Sequence, residues 1–255
     1  MFKVLICIIA GIGAGVGTGF AGMSAAAVIS PMLIAFLDMD PYLAVGIALA
    51  SDVLASAASA VTYGKNKNLD IKNGLIMMAS VLCFTAVGSF VASVVPKTAM
   101  GNFSVIMTLL LGVKFIVKPV LAPKRRLTEA TTAQKAVRSV LCGSAVGFIC
   151  GFVGAGGGMM MLLVLTSVLG YELKTAVGTS VFIMSITALT GSVSHFVIGG
   201  MPDTEALIIC IVSTLAAAQL SAVFANKASP KTLNRITGAI LVALGIAVLV
   251  VNHVS

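Results

Sequence analysis

The chain has 255 residues, 59% of them hydrophobic and only 9% charged. A soluble domain carries about 25% charged residues, so a water-soluble globular fold is excluded. The net charge of +8 sits in a few loops and reads as topology signal and attraction to anionic lipid rather than to nucleic acid.

Apolar stretches of spanning length follow one another with short polar gaps, and the alternating pattern of a β-barrel is absent. The expected fold class is an all-α integral membrane protein, multi-pass in the cytoplasmic membrane. Eight apolar segments fall at roughly 4–37, 42–64, 74–95, 101–121, 137–169, 174–198, 205–225 and 233–252. The start Met1-Phe2-Lys3 could pass for a signal peptide, but an internal counterpart near 137–147 predicts that it is retained as structure.

Two repeats of four segments account for that order. Gly15-Val-Gly-Thr-Gly19-Phe-Ala-Gly22-Met23-Ser24 recurs 132 residues later as Gly147-Phe-Ile-Cys-Gly151-Phe-Val-Gly154-Ala155-Gly156-Gly157-Gly158. In the same register Ala44-Val-Gly46 meets Ala176-Val-Gly178, and Leu33, Leu37 and Val61 meet Leu165, Leu169 and Val193. Residues 1–121 form the first membrane repeat and 137–255 the second. Residues 122–136, with Lys124, Arg125 and Arg126, are the expected cytoplasmic linker.

The first segment of each repeat is too long to cross once. About 33 helical residues would run about 50 Å, against a hydrocarbon core of about 30 Å. Each is either a kinked, tilted span or two half-helices folded into a re-entrant hairpin with glycines at the tip. With eight plain crossings the Lys and Arg residues split 11 against 5; with two hairpins they split 14 against 2, leaving only Lys3 and Lys97 outside. The positive-inside rule favours the sharper split. It implies inverted repeats, both termini outside, and tips that meet near the midplane. Lys114 and Lys118 then snorkel to a cytoplasmic helix end. Eight crossings with parallel repeats is the alternative.

Broken helices at membrane depth need protein or a cavity around them. Glycine lets a ligand approach the backbone, and a half-helix N-terminus offers free N–H groups and positive potential to an anion. Gly19, Gly22, Met23, Ser24, Gly154, Ala155, Gly156, Gly157, Gly158 and Ser180 are therefore the candidate substrate-binding residues. Helix packing is the competing explanation for Gly11, Gly15 and Gly19, for Gly147 with Gly151 and for Gly154 with Gly158, which have GxxxG spacing. Gly17-x-Gly19-x-x-Gly22 matches a dinucleotide fingerprint but lacks the strand that motif requires.

Asp52 is the only acid deep in an apolar segment, a costly placement that marks a functional candidate. Ser56, Ser59 and Tyr63 share its helix face. Thr187, Ser194 and His195 give a weaker counterpart in the second repeat, where Met184 takes the register position of Asp52. These residues, Asp52, Ser56, Ser59, Thr187, Ser194 and His195, are expected to line a cavity or couple transport to a proton or sodium ion. The five cysteines have no CxxC pair and read as small buried hydrophobes. No catalytic residue, metal ligand or cofactor is expected.

The second glycine segment, its weaker first copy, Ala176-Val-Gly-Thr-Ser180 and Gly199-Gly-Met-Pro-Asp203 together resemble the sulfite exporter TauE/SafE family of bacterial and archaeal membrane permeases. The loop Tyr63-Gly-Lys-Asn-Lys-Asn-Leu-Asp70 looks like the first-repeat counterpart of the last of these. Met23-Ser24 stands where the family often continues with glycines, which leaves open whether both tips bind substrate. The resemblance implies a transporter for sulfite, a sulfonate or a related small organosulfur anion. The mechanism expected is a secondary transporter working by alternating access. A passive anion channel lined by the paired hairpins is the alternative, and an intramembrane enzyme using Ser24 or Cys150 with His195 a remote third. Oligomeric state is not legible.

Overall fold

The computed structural model describes residues 1–93, 113, 116, 117, 132–153 and 157–254. Within these the chain is helical: α1 Phe2–Ala21, α2 Ala26–Leu37, α3 Pro41–Lys65, α4 Ile71–Ser93, α5 Thr132–Val153, α6 Gly157–Ser167, α7 Leu173–Gly199, α8 Thr204–Lys227 and α9 Pro230–Val254. Four stretches among the described residues are long and apolar enough to cross a membrane: Phe2–Ala21, Leu43–Lys65, Leu173–Val197 and Thr204–Lys227. This is an all-α, multi-pass membrane protein.

The helix starts follow local chemistry. Asp40 accepts from Leu43 N at 3.1 Å ahead of Pro41, a residue that needs no N–H partner in the first turn. Asp70 and Asp203 cap α4 and α8, accepting from Asn73 N at 3.0 Å and Ala206 N at 3.1 Å. These two acids, 133 residues apart and so one residue out of the 132 register, do the same job. Ser229 opens α9 through Thr232 N at 3.2 Å. α5 begins at Thr132, ahead of the 137 boundary expected for the repeat, because Ala133, Gln134, Lys135 and Ala136 are good helix formers.

Helix directions follow from the contacts. α1 runs parallel to α8, from Lys3 bound to Asp203 and Glu205 at one end to Gly19 against Ala218 and Ser221 at the other. α3 also runs parallel to α8, with Thr62 bonded to Gln219 and Asn68 to Asn226. α7 is antiparallel to α3, since Gly46 faces Phe196 and Gly178 faces Tyr63. α5 lies parallel to α4, with Gly143 on Met77 and Gly147 on Val81. α2 runs back toward the end where α1 began, because only three residues join it to the start of α3. Likewise α6 leads back to the end where α7 begins.

Gly11, Gly15 and Gly19 form a seam against α8. A methyl group on Gly15 would collide with Thr214 O of α8, so only glycine permits this approach. Gly143 and Gly147, at the register positions of Gly11 and Gly15, make the same kind of seam against α4, 2.7 Å from Met77 O and 2.5 Å from Val81 O by the same measure. The outward faces of α1 and α8 carry exposed Leu5, Ile9, Ile12, Ile208, Leu220 and Phe224, as lipid contact requires. Cys7 and Cys210 are buried as expected, but Cys142 is only half-buried and Cys83 is exposed; the side chain of Cys150 lies outside the described residues.

The two ends of the bundle differ in charge. Lys3 pairs with Asp203 at 2.6 Å and Glu205 at 2.8 Å at one end. The other gathers the α3–α4, α6–α7 and α8–α9 loops, joined by Asn68 to Asn226, Lys174 to Asn226 O and Tyr171 to Asp70. Lys65, Lys67, Lys72, Lys174, Lys227 and Lys231 all lie there. Burial and the Asp70 carboxylate both push the Tyr171 phenol up, so it remains a donor. Lys97, Lys114, Lys118 and the cations of 122–131 lie outside the described residues.

Candidate functional site: two helix breaks in contact

The first break separates α1 from α2 at residues 22–25. Gly22 ends α1 in the left-handed region (φ 60°, ψ 31°), its N–H bonded to Thr18 O. A helix end strands its last carbonyls, and here that end is buried away from water. Side-chain hydroxyls answer it. Tyr63 of α3 donates to Gly19 O at 2.8 Å and Thr237 of α9 to Phe20 O at 3.2 Å. Ser180 of α7 donates to Gly22 O at 2.8 Å, and Thr18 to Met23 O at 3.0 Å. Three separate helices therefore fix the break.

On its other side the break starts α2. Ser24 Oγ accepts from Ala26 N at 3.3 Å, so its own proton is free to be donated. Met23 and Ser24 are buried. Asp52 on α3 faces this turn and has no solvent exposure. Ser56 donates to its Oδ1 at 2.7 Å, and Ser24 and Ala25 lie near the carboxylate. Its Oδ2 has no partner of hydrogen-bonding geometry among the described residues. Ser59 is also buried, and its hydroxyl has no partner among the described residues.

Of the second break, Gly154, Ala155 and Gly156 lie outside the described residues, and α6 begins at Gly157. Gly158 is buried against the first break: a methyl group on it would stand 2.6 Å from Ser24 N, 2.7 Å from Met23 Cα and 2.8 Å from Gly22 O. The two glycine-rich segments therefore touch, backbone to backbone.

The structure brings Gly22, Met23, Ser24, Gly158, Ser180, Asp52 and Ser56 together. Gly19 lies one turn inside α1, where its missing side chain serves the α8 seam and its carbonyl is taken by Tyr63. Thr187 bonds back to the Ile183 and Met184 carbonyls. His195 Nδ1 lies 2.9 Å from Gly191 O, and its Cβ packs on Gly46. These two sit about 10 and 22 Å beyond Ser180 along α7, so the α7 stripe extends away from the breaks. The side chain of Ser194 lies outside the described residues. Thr18 and Thr237 were not foreseen, since a lone hydroxyl on a helix carries no mark of the distant carbonyl it caps. Among the described residues no three His, Cys, Asp or Glu side chains group as a metal site.

Comparison with known proteins agrees with this picture. The family model described as "Sulfite exporter TauE/SafE" matches residues 7–248. The chain is similar to "Probable membrane transporter protein YunE" of Bacillus subtilis (strain 168), 26% identical over 94% of this chain and 95% of the relative. It is also similar to "Probable membrane transporter protein YdhB" of the same organism, 24% identical over 83% and 86%. A third relative is "Probable membrane transporter protein MJ0441" of Methanocaldococcus jannaschii, 25% identical over 81% and 78%.

Proposed function

The chain belongs to the sulfite exporter TauE/SafE family and is a multi-pass transporter of the cell membrane, and from that premise we propose that it is a secondary transporter moving a small anion, of the class of sulfite, a sulfonate or a related organosulfur anion, by alternating access. The observation that carries this reading is the contact of the two breaks at Gly158. Opposed half-helices in the membrane interior are where transporters of this build hold substrate. The anion lies beside the contact of the two breaks, bounded by Gly22, Met23 and Ser24 on one side and Gly158 on the other, with Ser180 beside them. Asp52, Ser56 and Ser59 shape the polar face beside it, and a proton or sodium gradient supplies the driving force.

Two features support inverted repeats with re-entrant hairpins. The α1–α8 glycine seam has its counterpart in the α5–α4 seam, the pairing that a two-fold relation between 132-residue-shifted halves requires. The cations of the α3–α4, α6–α7 and α8–α9 loops gather at one end, which the positive-inside rule makes cytoplasmic. Burial of Met23, Ser24 and Asp52 favours a carrier over an open pore.

Flux of sulfur-35 sulfite into proteoliposomes tests the reading, with unlabelled thiosulfate, sulfate and taurine as competitors and imposed proton or sodium gradients. Saturable, competed, gradient-driven flux is expected. Non-saturating flux would move the assignment to a channel; none above empty liposomes, with folded protein, would discard sulfite as cargo.

A further inference from the structure

α8 ends at Lys227, and a helix end strands its last carbonyls. Asn226 turns that end into a junction. Its carbonyl accepts from Lys174 Nζ at 2.8 Å, a cation placed where the helix dipole favours one. Its side-chain Nδ2 donates back to Ala222 O at 2.8 Å, which leaves the amide oxygen to accept from Asn68 Nδ2 at 2.7 Å. One residue of α8 thus holds both the α3–α4 loop and the start of α7.

The loop is shaped for this reach. α3 closes in a Schellman turn: Asn68 N bonds to Tyr63 O at 2.9 Å and Lys67 N to Gly64 O at 3.0 Å, with Lys67 in the left-handed region (φ 60°). The residue at the place of Asn68 in such a turn commonly packs an apolar side chain on its own helix; here it is an amide spent on α8. The Asn68 carbonyl lies on Gly178, where a methyl group would collide with it. From this junction two short paths lead to the first break. Tyr63, which holds Asn68 N, donates to Gly19 O, and Ser180, two residues beyond Gly178, donates to Gly22 O.

The opposite end of the bundle is built differently. In the 132-residue register Asn68 and Lys174 become Gly200 and Tyr42, so neither the amide nor the ammonium is repeated. A methyl group on Gly200 would meet nothing within 4 Å among the described residues, and Met201 beside it is exposed. The ion pairs of Lys3 with Asp203 and Glu205 join α1 to the start of α8, two helices that the glycine seam already holds together.

We propose that Asn226, with Asn68 and Lys174, is a latch that shuts the first break off from the Lys67 end of the bundle, so that this structure is the conformation closed on that side. The proposal rests on the alternating-access reading, in which α8 and the break it carries must part from α7 and the α3–α4 loop at that end before an anion passes. Parting there breaks both hydrogen bonds to Asn226.

The test reads access to Met23, buried at the break. Met23→Cys is placed in a chain whose five native cysteines are replaced. Its rate of reaction with a membrane-impermeant thiol reagent is measured from each face, in intact cells and in inside-out vesicles, and Lys67→Cys in a parallel sample marks which face is which. The parent is expected to react slowly from the Lys67 face. Asn226→Ala combined with Lys174→Met removes both bonds, and the rate from that face should rise about tenfold, with no rise from the opposite face. Asn226→Asp, which keeps an acceptor for Asn68 and a carbonyl for Lys174, should react as slowly as the parent. A double variant no faster than the parent from the Lys67 face overturns the proposal. So does an equal rise from both faces, the mark of general loosening. Should the double variant fail to fold, Asn226→Ala and Lys174→Met carry the same test singly, each with a rise of about threefold. A parent that reacts quickly from both faces would overturn the carrier reading and the latch with it, whereas a slow parent with unresponsive variants removes the latch alone. No sulfite is used, so the identity of the cargo does not enter.

Discussion

Replacing Gly158 with alanine isolates the contact between the two breaks. The added methyl carbon would lie 2.6 Å from Ser24 N, 2.7 Å from Met23 Cα and 2.8 Å from Gly22 O. Carbon contacts are comfortable at about 3.5–4.0 Å, so α6 and the first break must part by roughly 0.9 Å. All three neighbours are backbone atoms, held in turn by the hydroxyls of Ser180 and Thr18, and no rotamer change relieves the clash. Overpacking of this kind costs about 1–3 kcal/mol. Gly64→Ala is the matched control: its methyl group would meet only Leu69 Cδ2, at 3.4 Å, and helix propensity alone predicts a gain of about 0.5–1 kcal/mol. Thermal unfolding in detergent and transport in proteoliposomes are measured on both. Gly158→Ala should unfold earlier and lose most transport, while Gly64→Ala retains both. A Gly158→Ala protein with wild-type stability and flux would refute the claim that the breaks meet there.

Three further outcomes are expected. Tyr63→Phe removes the donor to Gly19 O and leaves a buried carbonyl unpaired, a loss of about 1–3 kcal/mol; an unfolding midpoint unchanged from wild type would exclude that role. Lys3 holds Asp203 below the ordinary carboxylate value of 3.8, helped by the Ala206 amide, while Asp203 and Glu205 hold the Lys3 ammonium above its own. Lowered, the Asp203 contribution is present above pH 3.8 and fades as pH falls through its depressed value; raised, that of Lys3 is present below 10.5 and fades only in strong base. A small difference in unfolding midpoint between wild type and Lys3→Gln should therefore persist at neutral pH and vanish in acid, and a difference unaltered in acid would rule out the pair. Finally, Met201→Cys should react with an impermeant thiol reagent added to intact cells and Lys67→Cys only in inside-out vesicles; the opposite pattern would invert the proposed orientation. Both assays use a background in which the native cysteines, including the exposed Cys83, are replaced.

Much of the fold was legible because hydrophobic length, glycine spacing and loop charge are properties of consecutive residues. Asp40, Asp70 and Asp203 mark helix starts that stand where the sequence puts turns, and the break at Gly22 falls within the segment judged too long for one crossing. Partners distant in sequence were less legible. Nothing local links Thr237 to Phe20 or Gly158 to Ser24, and the face from Ser180 to His195 reads as one stripe although only its first member reaches the breaks. Gly19 illustrates the ambiguity of glycine itself: the same absent side chain serves a helix seam or a ligand, and only the neighbouring α8 tells them apart. Asp52 stood out through its cost, but what it faces required the turn of α2.

The seams between α1 and α8 and between α5 and α4 carry a mechanical consequence. α1 and α5 are each sutured to a helix from the opposite half of the chain, with contacts so close that no side chain can slide between them. A hinge line drawn through the linker would tear both seams. Under the alternating-access reading proposed above, the bodies that move past one another are interleaved, each taking a broken-helix pair from one half and its supporting helix from the other, so that the joint between them runs across the sequence halves rather than along their border.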